Sequence, residues 1–418
     1  MKLPPFLALL MACVLLGCGD ARTGGKVHVE FWTMSLKPKF TEYFRTRIAQ
    51  YQAAHPSVEL EWVDVPWDAL QTKLTAAIVA GSAPALVELN VPWAYDYALY
   101  GALRPIDDLI GDDRKQYTAG ALADVTFNGH IYGFPHYSSV NVMAYNRALF
   151  QQAGITHVPV TRDEQLAAAK QIRARTGRYG FSPALGKIAG VFLEEGLPLI
   201  EHGKAVFNSP AHVALIAKLR DAYLAGGLLK DKLFSEDNYP ASIDAYKSGR
   251  MAMLEAPPSA LTRVRDDAPD IYAVTDVAPV PIGAPGVAAG GWLFHFAMPK
   301  GTRGDVATEA ARFAKFLTDD DNELAFAKLA GAFPAAREAA ADPYFRELRS
   351  DAGAYEKAMA LGASRLDVVR TLYVAGGPGF ERLNKRLQDA VEAAIIGRRD
   401  IREALDDAVA FWNSKLSP

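Results

Sequence analysis

The chain has 418 residues, of which 50% are hydrophobic and 22% charged, with 45 basic and 48 acidic side chains. This is a globular composition with room for two or three domains, and it excludes whole-chain disorder and fibrous repeats. The formal charge of −3 is not concentrated in either half. Without a basic field, no nucleic-acid partner is expected.

The first residues read as an export signal. Lys2 supplies a thin positive region, and Phe6 to Leu16 is an apolar run too short to span a bilayer comfortably. It ends in Leu15-Leu16-Gly17-Cys18, which has the form of a bacterial lipobox. Cys13 and Cys18 are the two cysteines of the chain, so neither a disulfide framework nor a thiolate metal site is expected. Residues 1–17 are therefore read as a lipoprotein signal peptide, Cys18 as the lipidated first residue and 18–26 as a polar tether. The mature chain would be held at the membrane in the periplasm or at the cell surface. An ordinary signal cut between Gly17 and Ala21 is the alternative.

The body reads as α/β. Val27, Val29 and Phe31 alternate with polar neighbours, which predicts a strand. Phe40, Phe44, Ile48 and Tyr51 repeat at helical spacing and stop before His55-Pro56. A second strand is predicted at Val58 to Val65. Leu70, Leu74 and Ile78 then mark a helix closing at Gly81, and Ala85 to Leu89 is a short apolar run suited to a strand covered on both faces. This alternation predicts right-handed crossovers and a parallel sheet.

The middle third reads as helical. Asn146 caps a helix that ends at Gly154, and Thr161-Arg162-Asp163-Glu164 is a capping box for a helix to Arg175. Ser209-Pro210 opens another helix. Between Val274 and Gly291 the prolines Pro279, Pro281 and Pro285 indicate an extended connection, in which Val277, Val280 and Ile282 are expected to be buried. Helices return at Asp305–Leu317, Asn322–Leu329, Phe380–Ile396 and Asp400–Lys415, with a short one near Ala335–Ala341.

Catalytic signatures are thin. No glycine-rich dinucleotide or phosphate loop, nucleophile elbow or zinc helix is present, and the eight histidines are scattered. No metal or cofactor is expected. Asp319-Asp320-Asp321 reads as a helix end followed by a cap. Glu194-Glu195 reads as a solvated pair, or as one wall and one surface residue, because adjacent helical positions do not face each other.

Aromatic side chains fall instead at strand ends. Trp32 ends the first strand and Asn90 the third, with Trp93, Tyr95 and Tyr97 following at once. Ligands of open α/β sheets bind beyond the carboxyl ends of the strands. Rings there can stack on the C–H faces of a sugar while Asn, Glu and Ser bind its hydroxyls. Trp93 and Trp292, the latter beside Gly290-Gly291, are read as such platforms. Trp62, Trp67 and Trp412 are read as core.

From Glu30-Phe31-Trp32 to the last helix the chain resembles the carbohydrate-binding lipoproteins of bacterial ABC importers, extracellular solute-binding family 1, the group of the maltodextrin-binding proteins. The resemblance is carried by Ala80-Gly81-Ser82-Ala83-Pro84, by Asn128-Gly129-His130-Ile131-Tyr132-Gly133 and by Ala144-Tyr145-Asn146. Ser248-Gly249-Arg250-Met251-Ala252-Met253, Gly290-Gly291-Trp292 and Gly331-Ala332-Phe333-Pro334 complete it. It implies a two-lobed periplasmic-binding-protein fold of type II with three interlobe crossings, near Ser138–Val142, Val277–Pro281 and Ala332–Ala335. The lobes would be 27–138 with 281–332, and 139–280 with 333–418.

Mapped by motif, the ligand contacts implied are Trp32, Ser35, Asn90, Trp93, His136, Tyr137, Ser139, Glu255, Gly290, Gly291, Trp292 and Phe333. Many members have Asp at the position of Asn90, and an aromatic where Ala256-Pro257-Pro258 stands. The partners implied are a saccharide and the ABC permease, with the protein a monomer. A phosphorylated polyol ligand would instead require cations converging on the site, and a glycoside hydrolase would require two opposed carboxylates.

Overall fold

The computed structural model describes residues 25–235, 237–283, 290–367, 369–372 and 380–416. The signal region and Cys18 lie outside the described residues.

The first three strands, Val27–Met34, Val58–Val65 and Leu86–Asn90, pair in parallel as the alternating pattern predicts. The helices Thr41–Ala54 and Trp67–Ala80 connect them. Trp67–Ala80 buries Leu70 and Leu74, and it ends where Gly81 takes the left-handed conformation that a side chain disfavours. All five residues of Leu86–Asn90 are buried, as expected for a strand covered on both faces. Gly291–Ala297 pairs antiparallel with Leu86–Asn90, followed by Gly133–Val140 and then Phe333–Pro334. The result is a six-stranded sheet. Helices Gly304–Leu317 and Asp320–Ala330 pack Phe313 and Phe326 into its core.

A second sheet places Val142–Asn146 between Met253–Ala256 and Thr275–Pro279, all antiparallel. The helical reading of the middle third missed this sheet, because strands of four and five residues carry too few repeats to show a period. The caps are as predicted. Asn146 Oδ1 accepts from Leu149 N–H at 3.0 Å, and Thr161 and Glu164 form a reciprocal capping box. A further core gathers under Phe380–Ile395 and Ile401–Asn413, centred on the fully buried Trp412. Among the described residues, no helix is long and apolar enough to cross a membrane.

Two expectations are corrected. Ile282 is 45% exposed rather than buried. Its backbone is what is held: Ile282 N–H donates to Val160 O at 2.9 Å, and Ile282 O accepts from Arg162 N–H at 3.2 Å. The helix near Ala335 is confined to Arg337–Ala340, because Ala336 N–H is drawn to the buried Glu323 carboxylate at 2.6 Å and stays extended.

Chain passage between the sheets is abrupt. Val140 is opposite Gly291 in the first sheet, Val142 is opposite Ala256 and Pro279 in the second, and Asn141 alone lies between.

Trp412→Ala should cost about 3–5 kcal/mol of unfolding free energy, because it leaves a large cavity in a close-packed core and removes the indole bond to Leu383 O. Chemical denaturation measures it.

Candidate functional site

The carboxyl ends of the parallel strands carry a connected set of rings. Trp67 and Trp93 open neighbouring helices, with ring centres 4.9 Å apart. Trp67 also meets Phe294 edge-on at 6.0 Å. Phe294 stacks on Tyr137 at 4.8 Å and on Trp292 at 6.1 Å, with ring planes within 19° and 10° of parallel. Trp67 is 42% exposed, so its assignment to the core is overturned. The signal was available, since Trp67 follows the end of the second strand just as Trp93 follows the end of the third.

From these tryptophans two helical faces run side by side. Trp67, Gln71, Thr75 and Val79 recur every four residues, and Trp93, Asp96, Tyr97 and Tyr100 follow at helical spacing. Tyr97 ties the two faces together: its hydroxyl donates to Gln71 O at 3.1 Å and lies 3.0 Å from Thr75 Oγ1. Beyond the tryptophans, Gln71, Thr75, Val79, Asp96, Tyr97 and Tyr100 line an open cavity of about 890 Å³ with Phe380 and Glu381; neither Trp67 nor Trp93 lines it. Phe380 packs against the second core, so the cavity lies between elements of different cores. Burial and the neighbouring Glu381 push the Asp96 carboxyl up to about 6. Sequence reasoning named Tyr97 but missed Gln71, Thr75 and Asp96, because polar residues on a helix face read as solvated surface.

On the other side of the sheet-to-sheet passage lies a buried guanidinium. Arg162 Nη1 donates to Glu255 Oε1 at 2.9 Å and to Gln165 Oε1 at 2.7 Å. Arg162 Nε donates to Glu195 Oε1 at 3.2 Å, and Nη2 to Glu194 Oε2 at 3.4 Å. Glu194 and Glu195 are thus two of three carboxylates on one arginine, not a solvated pair. Burial raises both carboxyls against the pull of Arg162, bringing Glu194 to about 7.

The remaining sequence-predicted residues divide clearly. Ser139 is opposite Trp292 in the sheet, so Tyr137, Ser139, Trp292 and Trp93 are gathered near one edge. Ser35 Oγ accepts from Trp67 N–H at 3.0 Å. Asn90 is buried, and its Oδ1 accepts from Trp93 N–H at 2.9 Å, so it caps and aims that helix. Three more residues lie inside the protein. The indole of Trp32 donates to Glu30 Oε1 at 2.7 Å beneath Lys73. His136 Nδ1 and Glu88 Oε1 are 2.9 Å apart and fully buried. Phe333 is fully buried beside Phe345. Gly290 has a φ of +92°. The space left by the missing side chain of Gly291 is taken by the backbone of Arg370, 3.0 Å from where a Cβ would lie, rather than left for a ligand.

A family model described as bacterial extracellular solute-binding protein matches residues 46–350. A binding protein of Brucella abortus is 26% identical over 415 residues, 96% of each chain. The solved structure of a protein described as an oligosaccharide periplasmic-binding protein of Synechococcus superposes with a TM-score of 0.81 at 29% identity, covering 92% of this chain and 98% of that one. A maltose-bound Thermotoga maritima protein shares the fold, with a TM-score of 0.72 at 20% identity over 92% of this chain and 98% of that one.

A carboxyl raised on folding favours the folded state below its unfolded value, and that contribution is lost as pH rises through the folded value. For Glu194 the window is about 4.5 to 7. Glu194→Gln should therefore lose less stability than the parent between pH 5 and pH 8 in urea titrations. Equal losses in the two proteins would contradict the assignment.

Proposed function

The chain belongs to the bacterial extracellular solute-binding proteins, and on that premise we propose that it captures a saccharide between two lobes and delivers it to an ABC permease without turnover. The observation that carries this reading is the connected ring set at the carboxyl ends of the parallel strands, where Trp67, Trp93, Phe294, Tyr137 and Trp292 meet. Rings beside the hydroxyls of Tyr137 and Ser139 are what a sugar's C–H faces and hydroxyls need.

The lobes in this reading are 27–138 with 281–332 and 139–280 with 333–418, joined at Ser138–Val142, Val277–Pro281 and Ala332–Ala335. A ligand that touches both lobes favours the closed arrangement by its differential affinity. The contact set centres on Trp67, Trp93, Tyr137 and Trp292, with Ser139 and Glu255 at the passage. Relatives add support: a 110-residue stretch is 30% identical to a diacetylchitobiose-binding protein of Streptomyces coelicolor, and a 141-residue stretch is 30% identical to a maltotriose-binding protein of Pyrococcus abyssi. A phosphorylated polyol fits less well, because the guanidinium on Glu255, that of Arg162, is already engaged by three carboxylates. Cys18 would anchor the mature protein at the outer face of a membrane.

Titration against a panel of mono- and oligosaccharides tests the reading. At least one should bind, and Trp93→Ala should weaken it about tenfold or more while sparing stability, since a stacked ring contributes about 0.5–1.5 kcal/mol beyond its buried area. If no saccharide binds, the reading fails.

The anchor has its own check. Cys18→Ser should leave the membrane fraction, and unchanged membrane association would contradict the anchor.

A further inference from the structure

The two tryptophans that meet at the strand ends are aimed in different ways. Trp93 takes its place from the cap beside it, Asn90. The helix Trp67–Ala80 begins after Pro66, which has no side-chain oxygen to offer as a cap. The acceptor comes from another strand end, where Ser35 Oγ receives the Trp67 N–H at 3.0 Å. Ser35 has a φ of +52°, a left-handed conformation that a serine keeps only where its neighbours enforce it.

The enforcement traces to Asp64 on the second strand. Its Oδ1 accepts from Thr33 Oγ1 at 2.7 Å and from Leu36 N–H at 3.0 Å, and its Oδ2 accepts from Lys37 N–H at 2.9 Å. Thr33 is held in turn by the Trp62 indole, which donates to its Oγ1 at 2.8 Å. One carboxylate thus grips the loop on both sides of Ser35, and the bond from Ser35 N–H to Val65 O at 3.0 Å completes the turn. Bonds to a carboxylate are of the stronger, charge-assisted kind. Ser35 and Lys37 are exposed, so bonding rather than burial fixes them. Trp67 is exposed as well, and its ring is steadied only where it meets Trp93 and Phe294.

We propose that Asp64 is a positioning residue of the binding site: by shaping the loop from Thr33 to Lys37 it sets Ser35 to cap the helix at Trp67, and so fixes where the Trp67 ring stands against Trp93. This rests on the reading of the ring set as the saccharide platform. Asp64 acts through Ser35, without a contact to the sugar itself. Asp64→Asn is the sharp change. It keeps the shape of the side chain but replaces one accepting oxygen with an N–H donor, so at least one of the three donors loses its acceptor.

The first readout needs no sugar. Two indoles with centres 4.9 Å apart and planes inclined at 43° couple their transitions, and far-ultraviolet circular dichroism of the full mature chain records the coupling. Trp67→Ala defines that signal as its difference from the parent. Asp64→Asn and Ser35→Ala should each lose most of it while keeping the helical signal. Full coupling in Asp64→Asn overturns the inference. If that variant does not fold, Ser35→Ala decides in the same way. The second readout is calorimetric titration with maltotriose and diacetylchitobiose, the sugars that name two relatives. Asp64→Asn should weaken whichever sugar the parent binds by about fivefold, the size of one displaced stacked ring. In a Trp67→Ala background it should weaken binding no further. An equal loss with and without Trp67 would mark Asp64 as merely structural, and an unchanged affinity beside a lost coupling would show that the placement of Trp67 does not serve binding. Either result overturns the inference. If the parent binds neither sugar, that failure belongs to the saccharide reading, and the dichroism still upholds or overturns the placement by Asp64.

Discussion

One covalent constraint organises the molecule. Val140 is the last rung of the six-stranded sheet and Val142 the first rung of the three-stranded one, and both side chains are buried. Two residues of extended chain span about 7 Å, so the two sheets cannot separate at this point. They can change only their relative angle. Whatever lies beside the passage is therefore held at short range from both sheets, and a change of angle would carry whatever lies farther out through a larger arc. Ser139, Trp292 and Glu255 occupy the first position, while the helix faces bearing Gln71, Thr75, Asp96 and Tyr100 occupy the second.

Around this passage the polar groups serve placement more than stability. Arg162 joins the start of the helix Arg162–Thr176 to Glu194 and Glu195 and to Glu255 on the strand Met253–Ala256. Buried ion pairs return little net stability once desolvation is counted, but removing one partner leaves an unpaired charge. What the cluster does is fix three elements at one spot, next to the backbone of Ile282, which is bonded to Val160 and Arg162. On the other sheet, the Glu88–His136 pair plays a comparable part beneath Tyr137, where His136 packs edge-on against the Tyr137 ring.

Local chemistry was legible in the sequence, and distant convergence was not. Asn146, the capping box from Thr161 to Glu164 and the turn at Gly81 each act within a few residues, so their effects could be read from spacing alone. The parallel strands followed from the alternation of elements. The three-stranded sheet escaped because Met253–Ala256 has four residues and its partner Val142–Asn146 lies more than a hundred positions away. The candidate site was half visible. Trp93 was found from aromatic residues at a strand end, Trp292 from its glycine neighbours and Tyr137 from the family resemblance, whereas Trp67 was set aside despite the same signal as Trp93. Asp96 and Phe380 carried no signal in the sequence, and only folding shows that they share one open cavity with Tyr97, which the strand-end pattern had named. Asn90 illustrates the converse error, since its position at a strand end was read correctly but its oxygen is spent on capping Trp93.

The central claim is that two lobes pivot about the passage at Asn141 and close on a saccharide. Small-angle X-ray scattering of the mature chain, with and without a saturating saccharide identified by titration, tests it most directly. The account predicts a smaller radius of gyration and a shorter maximum dimension in the bound state, since closure brings separate cores together. Superimposable scattering curves, with binding confirmed by calorimetry on the same samples, would contradict it.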